Sequence, residues 1–320
     1  MTGINVRTAG VVDPVLSTHA RGYRNPAYVA SALCPRVPVP SRSDKVIKYD
    51  KSDFRAISAR RSPGGPTLRL QLGYASDTVA LDQDSVEIVV PREHLQEAQR
   101  QQPSLARALT NTGRVMKRLD LGLEIQVATM ARSTATYGTN NRVALTGSDR
   151  WTSPDSDPLD DILAGQAAIS RSIGVEGNVL IVGPTSLKAL QKHPGIQSRF
   201  TYSTPGLLTA TMLSSYFGVP VVLGGAVYLP EGALDTDPAV PVWGDDAILA
   251  YVPDVPEDQQ DMGEPAYGYT YELEGYPAVE TPYYHDNRKS WMYPMTVERR
   301  PYIVGAEGGF LIQNAGAPAA

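Results

Sequence analysis

The sequence predicts an α+β chain with long appendages, and three observations carry that prediction. A proline-rich opening without periodic pattern reads as an extended arm. A stretch of period-two alternation broken by a Pro/Gly turn reads as a long hairpin. One unusually long amphipathic run then precedes alternating helix and strand. With 320 residues, 42% hydrophobic and 20% charged, the composition is that of a folded protein and excludes disordered, collagen-like and fibrous classes. No stretch reaches the roughly 18 consecutive apolar residues of a membrane span. The opening MTGINVRTAG lacks a basic segment followed by an apolar run, so the chain is expected to stay where it is made. Its single cysteine, Cys34, excludes an internal disulfide framework and a Cys-cluster metal site and fits a reducing cytoplasm. Cys34 reads as a small buried hydrophobe.

Residues 1–45 contain Pro14, Pro26, Pro35, Pro38 and Pro40 and form the arm, which cannot build a core of its own. Strands are predicted around Lys45 to Ser58 and Thr67 to Tyr74, where Leu68, Leu70 and Leu72 alternate with Arg69 and Gln71. Between them, Arg60-Arg61-Ser62-Pro63-Gly64-Gly65-Pro66 supplies turn geometry and a basic tip. A two-stranded hairpin is marginal alone, so this one is expected to project onto another body. Val86 to Val90 is a short strand. After Pro103, the positions Leu105, Leu109, Met116, Leu119, Leu123, Val127 and Met130 step by three, four or seven and predict one helix of about 30 residues, about 45 Å long.

Residues 151–230 alternate helix and strand. Asp157 is a natural N-cap with Pro158 at the first helical position, and Leu159, Ile162, Leu163, Ile169 and Ile173 form the buried face of the helix that follows. Asn178 to Val182 and Val219 to Leu223 are buried strands. Thr185 to His193 is a short helix stopped by Pro194-Gly195. Tyr228 to His285, rich in Pro, Gly, Asp and Glu, predicts short strands and long loops. Thr296 to Ile303 and Gly309 to Gln313 return to strand character and are expected to pair with earlier strands, with Gly305 to Gly309 as a hairpin turn.

The net charge of −5 hides a polarity along the chain: residues 1–72 carry +8, residues 73–229 are near neutral, and residues 230–320 carry −12. A basic N-terminal quarter suits nucleic acid or the acidic part of a neighbouring copy. Net acidity and the lack of aromatic and basic interleaving weigh against sequence-specific DNA binding. The four histidines are scattered, and no HExxH or GxSxG occurs. Gly183-Pro184-Thr185-Ser186 lacks phosphate-loop spacing, and Gly244-Asp245-Asp246 has no second acidic motif. Asp155, Asp157, Asp160 and Asp161 are the one cluster that a metal-dependent hydrolase could use. That alternative predicts a bound cation and loss of activity in Asp157→Asn, but no ligating histidine or general base accompanies these acids. No catalytic, cofactor or metal residue is assigned, and the chain is expected not to be an enzyme.

The order of parts, and two stretches in particular, resemble tailed-bacteriophage major capsid proteins of the Hong Kong 97-type coat fold. Asn25-Pro26-Ala27-Tyr28-Val29-Ala30 followed by Leu33-Cys34-Pro35-Arg36-Val37-Pro38-Val39 is similar to the NPxxVA and LxPxVPV opening of such proteins, with Cys34 where an aromatic is more usual. The second stretch runs from Trp151 and Asp155–Ile173 through Asn178–Gly183 and Leu187–Pro194 to the strand ending at Gly224. The resemblance implies an N-arm (1–45), an extended E-loop hairpin (46–92), a peripheral domain of spine helix and closing strands (93–150 plus 291–320) and an axial α/β domain (151–290). It implies hexameric and pentameric capsomers of an icosahedral shell in the virion, made and assembled in the bacterial host cytoplasm, enclosing double-stranded DNA contacted non-specifically. A portal, a separate scaffolding protein and a decoration or cement protein are the implied partners; because no helical scaffolding segment precedes Asn25, assembly is expected to need a separate scaffold or none. No membrane is involved. Assembly contacts are assigned to the E-loop tip (Arg60, Arg61, Pro63, Gly64, Gly65) and to the N-arm motif (Asn25, Pro26, Val29, Leu33, Pro35), with Arg60 and Arg61 expected on acidic surface of an adjacent subunit. The nearest alternative is an encapsulin-like nanocompartment of the same fold.

Overall fold

The computed structural model describes residues 13–22, 25–48, 60, 75–93, 104–200, 208–253 and 266–319. Its organising element is the helix α3, Ser104–Arg132, which follows two helices of the N-terminal segment, α1 (Pro14–Gly22) and α2 (Ala30–Leu33). At about 1.5 Å per residue its 29 residues span about 44 Å. Val115, Met116, Leu119, Leu123, Val127 and Ala131 lie on its buried face at the three- and four-residue steps the sequence predicts.

Two larger sheets flank this helix. The first has β14 (Ser290–Ile303) at its centre. Along it run β4 (Asp82–Pro91), paired antiparallel over ten residues from Asp82↔Arg299 to Pro91↔Ser290, and β11 (Gly268–Leu273), β12 (Ala278–Val279) and β13 (Tyr283–His285). β1 (Arg36–Val39) adds to β11 in parallel. β4 begins earlier than the apolar run Val86 to Val90 suggested, because the long partner strand continues the ladder through Asp82–Ser85.

The second sheet orders β5 (Arg142–Ala144), β15 (Gly309–Gln313), β10 (Ala247–Ala250), β6 (Val179–Val182) and β7 (Val221–Leu223). Its strands are apolar at consecutive positions because both faces are covered. Leu180, Val182, Ala247, Leu249, Phe310 and Ile312 pack on one side with α4 (Pro158–Ile173), α5 (Pro184–Lys192) and α7 (Ala210–Phe217). Ile181, Ile248, Ala250 and Leu311 pack on the other side with α2 and the second half of α3. β15 thus lies here and not beside β14, so Gly305–Gly309 is a crossover between two sheets and not a hairpin turn. Residues 291–320 contribute to both sheets, and 268–285 pair with β14.

Asp157 caps α4 through backbone N–H groups of Leu159 and Asp160, with Pro158 at the first position. Ile162, Ile169 and Ile173 are buried, but Leu163 is 52% exposed because it sits one residue off the stripe. Pro194 ends α5 and at once opens α6 (Pro194–Phe200), as its fixed φ and missing N–H allow at a helix start. Tyr228 to His285 holds short strands, as expected, including the small pair β8 (Val227–Tyr228) and β9 (Val240–Pro241).

The N-terminal arm departs from the extended reading. Leu16 and Ala20 of α1 are buried with Val115, Met116 and Val297, and α2 sits in the core beside Val127. Pro14 opens α1 and Pro35 and Pro40 flank β1, while Pro38 lies within that strand, so the segment is a series of short elements and not one extended chain. Of the hairpin, β2 (Ser43–Lys48) pairs antiparallel with β3 (Ala75–Ala80). The first strand agrees with prediction over Lys45–Lys48, and the return strand is observed just beyond Tyr74. Residues 49–59 and 61–74, with Leu68, Leu70, Leu72 and the tip residues Arg61, Pro63, Gly64 and Gly65, lie outside the described residues.

Candidate functional site

Two acids of α3, Asp120 and Glu124, organise the junction of arm, helix and sheets. They stand four residues apart beside the apolar stripe, so both face inward. Glu124 is fully buried, and three N–H groups converge on its carboxylate. Val29 and Ala30 donate backbone N–H to Oε1 and Oε2 at 2.9 and 2.8 Å, and Trp243 Nε1 donates to Oε1 at 2.6 Å. One side chain therefore closes the first turn of α2 and ties it to the α/β layer. Burial pushes the Glu124 carboxyl above its ordinary value, against the pull of these donors. Asp120 accepts from Arg36 at 3.0 Å and from the buried Arg299 at 2.7 Å, and Arg36 also reaches Glu272 at 3.5 Å. This network joins β1, α3, β11 and β14.

The N-arm motif is used inside the chain. Val29 and Leu33 are buried, Pro35 offers its carbonyl to Thr270 N–H at 2.8 Å, and Asn25 Oδ1 accepts Ala27 N–H at 3.1 Å while Pro26 is exposed. Cys34 is buried beside them, and burial pushes its thiol up to about 12, which disfavours the thiolate in the folded chain. Of the assigned tip residues, Arg60 is described and exposed.

Two motifs that looked unrelated in sequence meet at the other end of α3. Thr185 Oγ1 donates to Asp245 Oδ1, Ser186 Oγ donates to the Asp245 carbonyl at 2.8 Å, and Gly183 N–H donates to the Asp246 carbonyl at 3.0 Å. Asp246 then accepts Arg132 Nε at 2.6 Å and Asn314 N–H at 2.9 Å. A Cβ at Gly183 would collide with the Gly244 carbonyl, and Gly244 itself takes a left-handed φ of 55° against Arg132. The glycines serve backbone approach, Asp246 clamps the α3 C-terminus to the sheet, and Asp245 holds the start of α5. The aspartate cluster also has structural partners. Asp157 is a cap, Asp161 accepts Trp151 Nε1 at 2.8 Å, and His193 Nε2 meets the Ser153 carbonyl at 3.1 Å.

Surface geometry supplies two further features. A groove of about 820 Å³ runs between Asn25–Tyr28, the β4 residues Val86–Val89, α3 and Gly225–Val227. Arg114, Lys117 and Arg118, one turn apart on α3, line it with Val115 and Leu121. Separately, Val227, Leu229, Leu234 and Val240, in and around the β8–β9 pair, are exposed. Among the described residues no helix is long and apolar enough to cross a membrane.

Comparison with known proteins follows the same lines. The family model described as phage major capsid protein E matches residues 99–306. The major capsid protein of Burkholderia phage BcepMu is 32% identical over 307 residues, covering 95% of this chain and 96% of that one. The crystal structure of a phage-related protein from Bordetella bronchiseptica RB50 superposes with a TM-score of 0.83 at 37% identity, covering 97% and 99% of the two chains. The capsid structure of cyanophage P-SCSP1u, at 10% identity and a TM-score of 0.55 over 91% and 89%, shares the fold. That fold is the Hong Kong 97-type coat fold.

Proposed function

Because the chain belongs to the phage major capsid protein E family, it is a coat protein, and we propose that it assembles into hexamers and pentamers of an icosahedral shell around double-stranded DNA. The observation that carries this is the match to a major capsid protein over 95% of this chain and 96% of that one. The encapsulin-like alternative is less supported, since the family and the curated relative are phage proteins. In this reading the chain builds structure and performs no catalysis, and it resides in the virion after synthesis in the host cytoplasm. Residues 1–45 act as arm, 46–92 as extended loop, 93–150 with 291–320 as peripheral part and 151–290 as axial part. The sheets qualify that division, because β15 belongs with the axial strands and β11–β13 with β14. Portal, scaffolding and decoration proteins are its partners, and contact with DNA is electrostatic and sequence-independent.

The charge polarity supports Arg60 and Arg61, with Pro63, Gly64 and Gly65 shaping the tip, as contacts on acidic surface of an adjacent subunit. Expression of the chain alone and with its neighbouring genes, followed by particle mass and negative-stain electron microscopy, tests the assembly. Closed shells or capsomer-sized rings are expected, and a monodisperse monomer under every condition overturns the reading. Reversal of both arginines is expected to lower shell yield, and an unchanged yield removes the tip from the contact.

A further inference from the structure

We propose that the acidic turn Leu229–Asp237 of one subunit docks in the basic groove between α3 and β4 of a neighbouring subunit. The proposal rests on the shell reading above. The turn is built as a fixed knob. Ala233 N–H donates to the Pro230 carbonyl at 3.1 Å, Asp237 N–H donates to the Leu234 carbonyl at 2.9 Å, and Asp237 Oδ2 accepts Leu234 N–H at 2.9 Å. Gly232, with φ at 86°, supplies the left-handed residue that the reversal needs. These bonds hold Leu234 with 68% of its surface in solvent, and the exposed acids Glu231, Asp235 and Asp237 lie within three residues of it in the same turn. Among the described residues nothing covers this large apolar side chain, and the turn that presents it is ordered by its own hydrogen bonds.

The groove has the complementary character. Its walls include Val86, Ile88, Val115 and Leu121, and its cationic edge is Arg114, Lys117 and Arg118, all three exposed. Glu87 also lines it, and that carboxylate accepts the Tyr283 hydroxyl at 2.6 Å. An apolar residue in an acidic turn matches an apolar trough edged by cations, which favours encounter and fixes register. Because knob and groove are different surfaces, the contact is heterologous, the type that passes from subunit to subunit around a ring.

The test uses two differently tagged single variants, Leu234→Cys and Lys117→Cys, co-assembled and oxidised as purified particles; buried Cys34 can stay. A disulfide-linked species containing one copy of each tag is expected in particles and absent from unassembled chain. Particles that form normally but give no such species overturn the proposal. So does preferential linkage of Lys117→Cys to Arg60→Cys, which would give the groove to the E-loop tip. A second arm combines Glu231→Lys with Asp235→Lys, expected to cut particle yield at least tenfold, and adds Arg114→Glu with Arg118→Glu, expected to restore it. Failure of the second pair to restore yield counts against the contact. If the parent chain forms no oligomer at all, the shell reading itself fails, an outcome distinct from intact particles that do not cross-link.

Discussion

The two sheets are held together by different physics. In the five-stranded sheet, both faces are apolar and helices cover them, so Leu180, Ile248, Leu249 and Leu311 are buried among hydrocarbon. The β14 sheet collects strands from residues 36 to 303 and, besides the apolar packing of Val279, Met295 and Val297, is fastened by charge. Asp120 lies between Arg36 and Arg299, and the Glu298 carboxylate takes Arg42 through two contacts at 2.6 and 2.9 Å, with Gln83 at 3.2 Å. An apolar layer tolerates some sliding and repacking, whereas directional ion pairs admit one register. The layer supplies bulk stability, and the charged sheet fixes which distant strands meet.

That contrast breaks most sharply at Asp120. Asp120→Ala leaves Arg299 buried without its carboxylate, and a loss of about 3–5 kcal/mol is expected in chemical unfolding of the unassembled chain. A loss below about 1 kcal/mol would show that the network is not what holds β1 and β14 to α3. In the apolar sheet, Leu180→Ala should cost about 2–5 kcal/mol, toward the lower end if the α4 side collapses into the space. Because Asp120 and Arg299 are both buried, salt screens them little, so the cost of neither variant should depend strongly on ionic strength.

The smallest effect sharpens the comparison through pH. The hydrogen bond from Arg42 holds the Glu298 carboxyl below the ordinary glutamate value. A carboxyl lowered in the folded state contributes stability above its unfolded pKa of about 4.3, and that contribution is lost as pH falls through the folded value. Unfolding free energy measured between neutral pH and pH 3 should therefore fall more steeply for the parent than for Glu298→Gln. Parallel curves would remove Glu298 from the acid response. Glu124 carries the opposite sign, since burial raises its carboxyl, and its own contribution grows as pH falls.

Elements with strong local signals were legible in the sequence. The helix from Ser104 to Arg132 follows from its apolar steps, the cap at Asp157 from Asp-Pro chemistry, and β6 from four consecutive apolar residues. Long-range pairing was not legible. Asp120 and Glu124 read as ordinary polar positions of a helix, yet their partners lie 84 to 179 residues away. The available signal was their four-residue spacing beside Met116, Leu119, Leu123 and Val127, which places two acids on the edge of the buried face. The meeting of Thr185 with Asp245 was hidden for the same reason, because each motif was weighed alone and only the fold brings them together. The arm misled because Pro14, Pro35 and Pro40 bound short elements, while the short helix between Val29 and Cys34 depends on a distant carboxylate to complete its first turn.

The pairing of β4 with β14 over ten residues also sets a clock. On the order of 200 residues separate the two strands, and a ribosome adding about 5–20 residues per second needs about 10–40 s to deliver the second after the first. Throughout that interval β4 presents Val86, Ile88 and Val90 with no ladder partner, while other nascent copies on the same message present the same edge. Until its distant partner arrives, this edge is the part of the fold most open to mispairing.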